Sequence, residues 1–277
     1  MTVEIDAQAW LDLWLPGAEI ATSKALGSGV VADVLGVRYS HQGRSAFAAL
    51  RVLRAAGARV ALERLAALHV RLGRAGLPVP EPYAVVELGE QVGLWMAWLP
   101  GEVALDGDPQ AFADILRQIH AVDVSGLPLS TWQPVDVDVA AIPAGNMPVE
   151  MNVEAVLAPP PPLPGRAVLV HGDFWPGNLL LDGGRVSAIL DWEDAALGHA
   201  LLDAAHMRYE LMWLSGADAA NHFTDAYLRN SGYTLDDLAP WVMCALRTPL
   251  AGMHRWGLPQ ADRERLKHTM VVLSRSI

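Results

Sequence analysis

Short apolar runs broken by turn residues dominate the first hundred positions, and helical spacings dominate most of the remaining chain. Trp10, Leu11, Leu13, Trp14 and Leu15 predict a short amphipathic helix lying on the fold. Ser23 to Gly29 and Val30 to Tyr39 read as strands around a Gly-containing turn, and Phe47 to Leu53 as a third, together a small antiparallel sheet. Gly57 and Ala58 precede an expected helix running to about Arg74, with Leu62, Leu65, Leu68 and Leu72 as its apolar stripe and Gly73 and Gly76 marking its end. Pro78, Pro80 and Pro82 enforce extended chain. Val85 to Leu88 and Val92 to Trp98 then read as a hairpin turning near Gly89-Glu90.

Trp98-Leu99-Pro100-Gly101 interrupts that run, which predicts a division into residues 1–98 and 99–277. Beyond it, Asp108 can cap and Pro109 can start a helix carrying Phe112, Ile115, Leu116 and Ile119 on one face. Five prolines between Ala158 and Pro164 make a stiff, extended approach to the apolar run 167–170, a buried strand. The runs 179–181 and 185–190 flank Asp182-Gly183-Gly184, a tight-turn signal. A turn centred on Gly183-Gly184 sets Leu181 opposite Val186 and Leu179 opposite Ala188. Helices are expected at about 200–214, 217–230, 236–254 and 261–275.

Composition narrows the function classes. The chain is 52% hydrophobic with a net charge of −11, which excludes general disorder and makes phosphate-mediated nucleic-acid binding a poor prospect. No apolar run approaches the length of a membrane span, and Met1 to Asp12 carries acids where a secretory signal carries basic residues. Cys244 is the only cysteine, which suits a reducing compartment. The expectation is a cytoplasmic protein with neither nucleic-acid nor membrane partners.

The chemistry concentrates in His171-Gly172-Asp173-Phe174-Trp175-Pro176-Gly177-Asn178 and in Asp191-Trp192-Glu193. The hairpin brings Asn178 and Asp191 to one open end, with Asp173 on the loop just before. Magnesium prefers oxygen ligands and keeps waters and substrate phosphates in its shell, so an Asn carbonyl and an Asp carboxylate suit it. No His/Cys set for zinc and no G-x-S-x-G elbow accompanies them. Asp173 precedes Asn178 by five residues, the spacing of a kinase catalytic loop.

An H-G-D-x-x-x-x-N loop, a hairpin and then D-W-E resembles the aminoglycoside phosphotransferase and choline kinase branch of the protein-kinase-like fold. The resemblance is specific there and extends more loosely over about residues 20–215. It implies an α+β, two-lobed fold: a small antiparallel sheet plus helix in the N-terminal nucleotide-binding lobe, and a larger, mainly helical catalytic and substrate lobe. It further implies transfer of phosphate from ATP or GTP to a hydroxyl of a small molecule. Asp173 would be the catalytic base, and Asn178 and Asp191 the magnesium ligands. Gly27-Ser28-Gly29 would approach the phosphates, and backbone groups near Trp98 the adenine edge.

The chain has only two lysines, Lys24 and Lys267, so Arg51 takes the place of the strand cation, with Arg54 three residues later. Glu63 is the natural partner for Arg51, being the only acid of its helix. His171 reads as a scaffold for the loop and Asp203 as the acid supporting it. Glu193, Asp194 and Glu210 are candidates for binding substrate amines, as in an aminoglycoside. The alternatives are another small metabolite, a macrolide, or a nucleotide-binding relative without turnover.

Overall fold

The computed structural model describes residues 5–28, 32–53, 57–163 and 167–275, which fall into two compact units. The first is Met1–Pro100 with Ser125–Pro128, and the second is Gly101–Val124 with Leu129–Ile277.

The first unit opens with helix α1 (Ala7–Trp14), capped by Asp6, whose carboxylate accepts from the N–H groups of Gln8 and Ala9. Strands β1 (Glu19–Ser28), β2 (Ala32–His41) and β3 (Arg44–Leu53) come next, then helix α2 (Ala58–Arg74) and strands β4 (Pro82–Leu88) and β5 (Gln91–Ala97). They form one sheet in the order β1-β2-β3-β5-β4, every neighbouring pair antiparallel. Alternation along β3 sends its side chains to two cores. Ala48, Leu50 and Val52 pack with Trp10, Leu11 and Trp95, whereas Ala49 and Leu53 pack with Leu62 and Leu94. Both faces of the central strand are therefore buried. Gly93 is required where Trp10 crosses the sheet, because a Cβ there would overlap the indole.

The second unit contains strand β6 (Glu102–Val103), helices α3 (Pro109–His120) and α4 (Val153–Leu157), and strands β7 (Val168–Val170), β8 (Leu179–Asp182), β9 (Arg185–Ile189) and β10 (Ala196–Gly198). Helices α5 (Leu201–Leu214), α6 (Ala217–Leu228), α7 (Leu235–Ala245), α8 (Arg247–Gly252) and α9 (Gln260–Arg275) complete it. Its strands form two small sheets, β6-β8-β9 and β10-β7. Helix α5 is buried on nearly every side and packs against α3, α6, α7 and α9. No described helix is long and apolar enough to cross a membrane.

Three expectations change. The strand expected from Ser23 begins at Glu19, while Gly29 and Arg54 lie outside the described residues. The single helix expected over 236–254 breaks at Leu246 into α7 and α8, since Pro249 has no N–H to donate to the Ala245 carbonyl. In the β8–β9 hairpin Leu181 does face Val186, but Leu179 pairs with Ile189, not Ala188. Ser187 is the extra residue of a bulge, which advances β9 by one position relative to β8. Leu190 rather than Ile189 thus lies opposite Asn178, donating its N–H to the Asn178 carbonyl at 2.8 Å, and Asp191 comes immediately after.

Candidate active site

Buried strand β7 delivers the chain into the loop His171–Asn178, and the loop is held from inside the protein. His171 is fully buried, and its partners fix its tautomer. Its Nε2–H donates to the Leu190 carbonyl at 2.8 Å, and its Nδ1 accepts the Asp173 N–H at 3.3 Å. Burial keeps this imidazole below its ordinary range against the pull of Asp203, the Leu190 hydrogen bond, Asp173 and Asp191, so it is a neutral strut. Asp203, at the start of α5 and also fully buried, accepts from the His171 N–H (2.7 Å), the Gly172 N–H (3.0 Å) and His120 Nε2 (3.1 Å). Burial raises this carboxyl, but the hydrogen bond and charge of His120, then His171 and its N–H, outweigh it and hold Asp203 below the usual carboxylate range. Gly172 has φ +86°, and a Cβ there would overlap the Asp194 carbonyl oxygen, so glycine is the residue that fits.

Asp173 leaves this scaffold half-exposed. Its Oδ2 accepts from Asn178 Nδ2 at 2.9 Å, and the same amide reaches the Asp173 carbonyl at 2.9 Å. With its amide nitrogen committed to Asp173, Asn178 has its carbonyl oxygen left to offer a cation. Asp191 sits in the left-handed region (φ +60°, ψ 62°) at the end of β9, a conformation that Asp tolerates better than most residues. Among the described residues no group of three or more His, Cys, Asp or Glu side chains converges as a metal cage. The donor set at the hairpin mouth is Asn178 and Asp191, two hard oxygens on adjoining strand ends. That set fits a magnesium ion completing its shell with water and phosphate oxygens.

A cavity of about 470 Å³ opens on Asp173. Glu193 and Asp194 line it from the turn after β9, and burial together with Asp173 and Asp191 raises the Asp194 carboxyl. Ser130, Thr131, Trp132 and Gln133 form another wall. Their strap is pinned to β10 where the Trp132 N–H donates to the Leu197 carbonyl and the Leu197 N–H to the Ser130 carbonyl, both at 2.8 Å. Glu210 is not among the lining residues: it is 5% exposed, within 3.6 Å of His206. Sequence reasoning misses the strap and His206. The strap carries no signal of its own, but His206 does, since Asp203, His206 and Glu210 recur at one-turn spacing on one helix.

The candidate nucleotide residues of the first unit are placed separately. Arg51 lies on β3 between Val34 and Leu94, on the face of Ala49 and Leu53, and Gly27 pairs with Val34. Glu63, the partner expected for Arg51, holds Arg59 at 3.2 Å. The cause is helical spacing: Arg59 and Glu63, four residues apart, share the exposed side of α2, away from the Leu62, Leu68 and Leu72 stripe. The Trp98 ring covers Gly36 on β2, where a Cβ would overlap it, and lies 6.4 Å from Phe47.

Comparison with known proteins agrees with this geometry. Residues 22–241 match the model of the phosphotransferase enzyme family. A segment of 47 residues, 17% of this chain, is 38% identical to hygromycin-B 4-O-kinase of Escherichia coli over 14% of that protein. A longer match, 29% identical over 180 residues and 52% of this chain, reaches acyl-CoA dehydrogenase family member 11 of Gallus gallus, over 22% of that protein. The chain thus spans under a quarter of the length of either curated relative. Among solved structures, a thermostable mutant of aminoglycoside phosphotransferase APH(4)-Ia, in ternary complex with AMP-PNP and hygromycin B, superposes with a TM-score of 0.69 at 17% identity, covering 99% of both chains. Macrolide 2'-phosphotransferase MphH from Brachybacterium faecium gives 0.60 at 22% identity, covering 95% of this chain and 98% of that one. The α+β kinase-like fold expected from the sequence is the fold these structures share with this chain.

Proposed function

This chain belongs to the phosphotransferase enzyme family, and we propose that it moves the γ-phosphate of ATP or GTP to a hydroxyl of a small molecule. One observation carries the reading. Asp173, with a side chain 37% exposed, faces a cavity large enough for an acceptor while Asn178 fixes its carboxylate. Asp173 orients the hydroxyl and takes its proton. The acceptor oxygen forms the new bond to phosphorus as the bond to the β-phosphate oxygen breaks, and the nucleoside diphosphate leaves. Magnesium, when held by Asn178 and Asp191, supplies positive charge against the phosphate oxygens. We assign the phosphates also to Arg51 and the Gly27 turn, and the base edge to backbone groups near Trp98. The lone Cys244 suits work in a reducing cytoplasm.

Glu193 and Asp194 beside Asp173 favour a cationic acceptor such as an aminoglycoside. The apolar side of the same cavity, Trp132, Val135 and Ala245, favours a second reading, a larger and less polar acceptor such as a macrolide. A panel of hydroxyl compounds, offered with ATP and with GTP and read as nucleoside diphosphate release, tests the proposal. Aminoglycoside turnover whose KM rises with salt supports the first reading, since exposed charges are screened over about 8 Å at physiological ionic strength. Nucleotide binding with no transfer to any acceptor in a single turnover would reject the activity itself.

A further inference from the structure

Helix α5 sends a second ionisable side chain toward Asp173. His206 is 7% exposed, and its Nε2 lies 3.4 Å from Asp173 Oδ1, 3.6 Å from Glu210 Oε1 and 3.2 Å from the Tyr209 hydroxyl. Glu210, 5% exposed, has an Oε2 with no hydrogen-bond partner, so a buried acid lies here with an imidazole beside it. Among the described residues lining the cavity, His206 is the only basic side chain, and Asp173, Glu193 and Asp194 line the same cavity.

We propose that His206 is a positioning residue for the transfer, fixing the Asp173 carboxylate through Oδ1 while Asn178 fixes it through Oδ2. The inference rests on the reading of Asp173 as the group that meets the acceptor hydroxyl. Each carboxylate oxygen has two lone pairs, so Oδ1 can contact His206 and still receive the hydroxyl proton. The groups facing the imidazole are Asp173 from the loop, Asp194 from the turn after β9, Cys244 from α7 across the cavity lining, and Asp203, Tyr209 and Glu210 from α5 itself. Burial pushes the imidazole down, but the close Glu210 carboxylate and the charges of Asp173 and Asp203 push it up further, above its ordinary range.

The test uses full-length His206→Gln and His206→Ala, with Asp173→Asn as control, and measures kcat, nucleotide KM and thermal stability. The expected result is a fall in kcat of about tenfold in both His206 variants, the loss of a positioned base being at the low end of its usual range. Nucleotide KM stays within about twofold, since the imidazole meets Asp173 and not the nucleotide. The Gln variant alone decides the matter if the Ala variant does not fold. A Gln variant with wild-type kcat overturns the inference, as does a fall in kcat that comes with an equal rise in nucleotide KM and a loss of thermal stability. If Asp173→Asn itself transfers phosphate at the wild-type rate, the reading of Asp173 fails instead, and the two failures are distinct.

Discussion

Asp203 offers a quantitative test of how the catalytic loop is held. Its fully buried carboxylate accepts three hydrogen bonds, from the His171 and Gly172 N–H groups and from His120 Nε2. In Asp203→Asn one oxygen becomes an NH₂ group, which must face a donor whichever way the amide is turned. At least one buried donor then loses its acceptor, at about 1–3 kcal/mol, and the charge assistance of the remaining bonds is lost as well. A total of about 3 kcal/mol is expected, a large part of the roughly 5–15 kcal/mol by which domains are stable. With a urea m-value of about 3 kcal/mol per molar, the upper end for small proteins, the midpoint falls by about 1 M. Urea unfolding monitored by tryptophan fluorescence reads this, and amide exchange at His171 and Gly172 shows whether the loop is the part released. The pH dependence adds a check. Asp203 titrates lower in the folded chain than in the unfolded one, so its contribution is present above the unfolded value of about 3.9 and is lost as pH falls below it toward the folded value. The gap between wild type and variant should therefore narrow as the pH falls below about 4. A variant with its midpoint within about 0.2 M of wild type at pH 7, or a gap that does not change in acid, refutes the reasoning.

Asp191→Asn keeps shape and removes charge, and is expected to lose transfer activity unless magnesium is raised well above the wild-type requirement; full activity at low magnesium rejects Asp191 as a ligand. Gly172→Ala places a Cβ at φ +86° against the Asp194 carbonyl oxygen, and should cost more than the roughly 1–2 kcal/mol of left-handed strain alone, measured by urea unfolding. Wild-type stability in that variant means the loop relaxes at no cost. Arg51→Ala should raise nucleotide KM, and because Glu63 is held by Arg59 the Arg51/Glu63 double-variant cycle should be additive within about 0.5 kcal/mol. A coupling above about 1 kcal/mol restores the pairing first expected from the sequence.

Local pattern determined the parts of this protein that local physics controls. The 3.6-residue stripe of Leu62, Leu68 and Leu72 and the Asp108-Pro109 start were enough to place α2 and α3. The Gly183-Gly184 turn placed the hairpin, and the oxygen-bearing residues at its mouth, Asp173, Asn178 and Asp191, were visible as types suited to a magnesium nucleotide. What the pattern left open depended on neighbours distant in sequence or on a single backbone atom. The bulge at Ser187 is a packing choice with no composition of its own, yet it sets Leu190 opposite Asn178. Glu63 was the expected partner of Arg51 because it was the only acid available, but helical geometry gave it to Arg59 first. Glu210 is a candidate for binding substrate amines in the sequence, and only the burial of α5 on nearly all sides turns it inward to His206. The strap Ser130–Gln133 is ordinary loop sequence until its hydrogen bonds to β10 make it a cavity wall. Periodicity reports which way a side chain faces along its own element; the contact it makes there is decided by the elements packed against it.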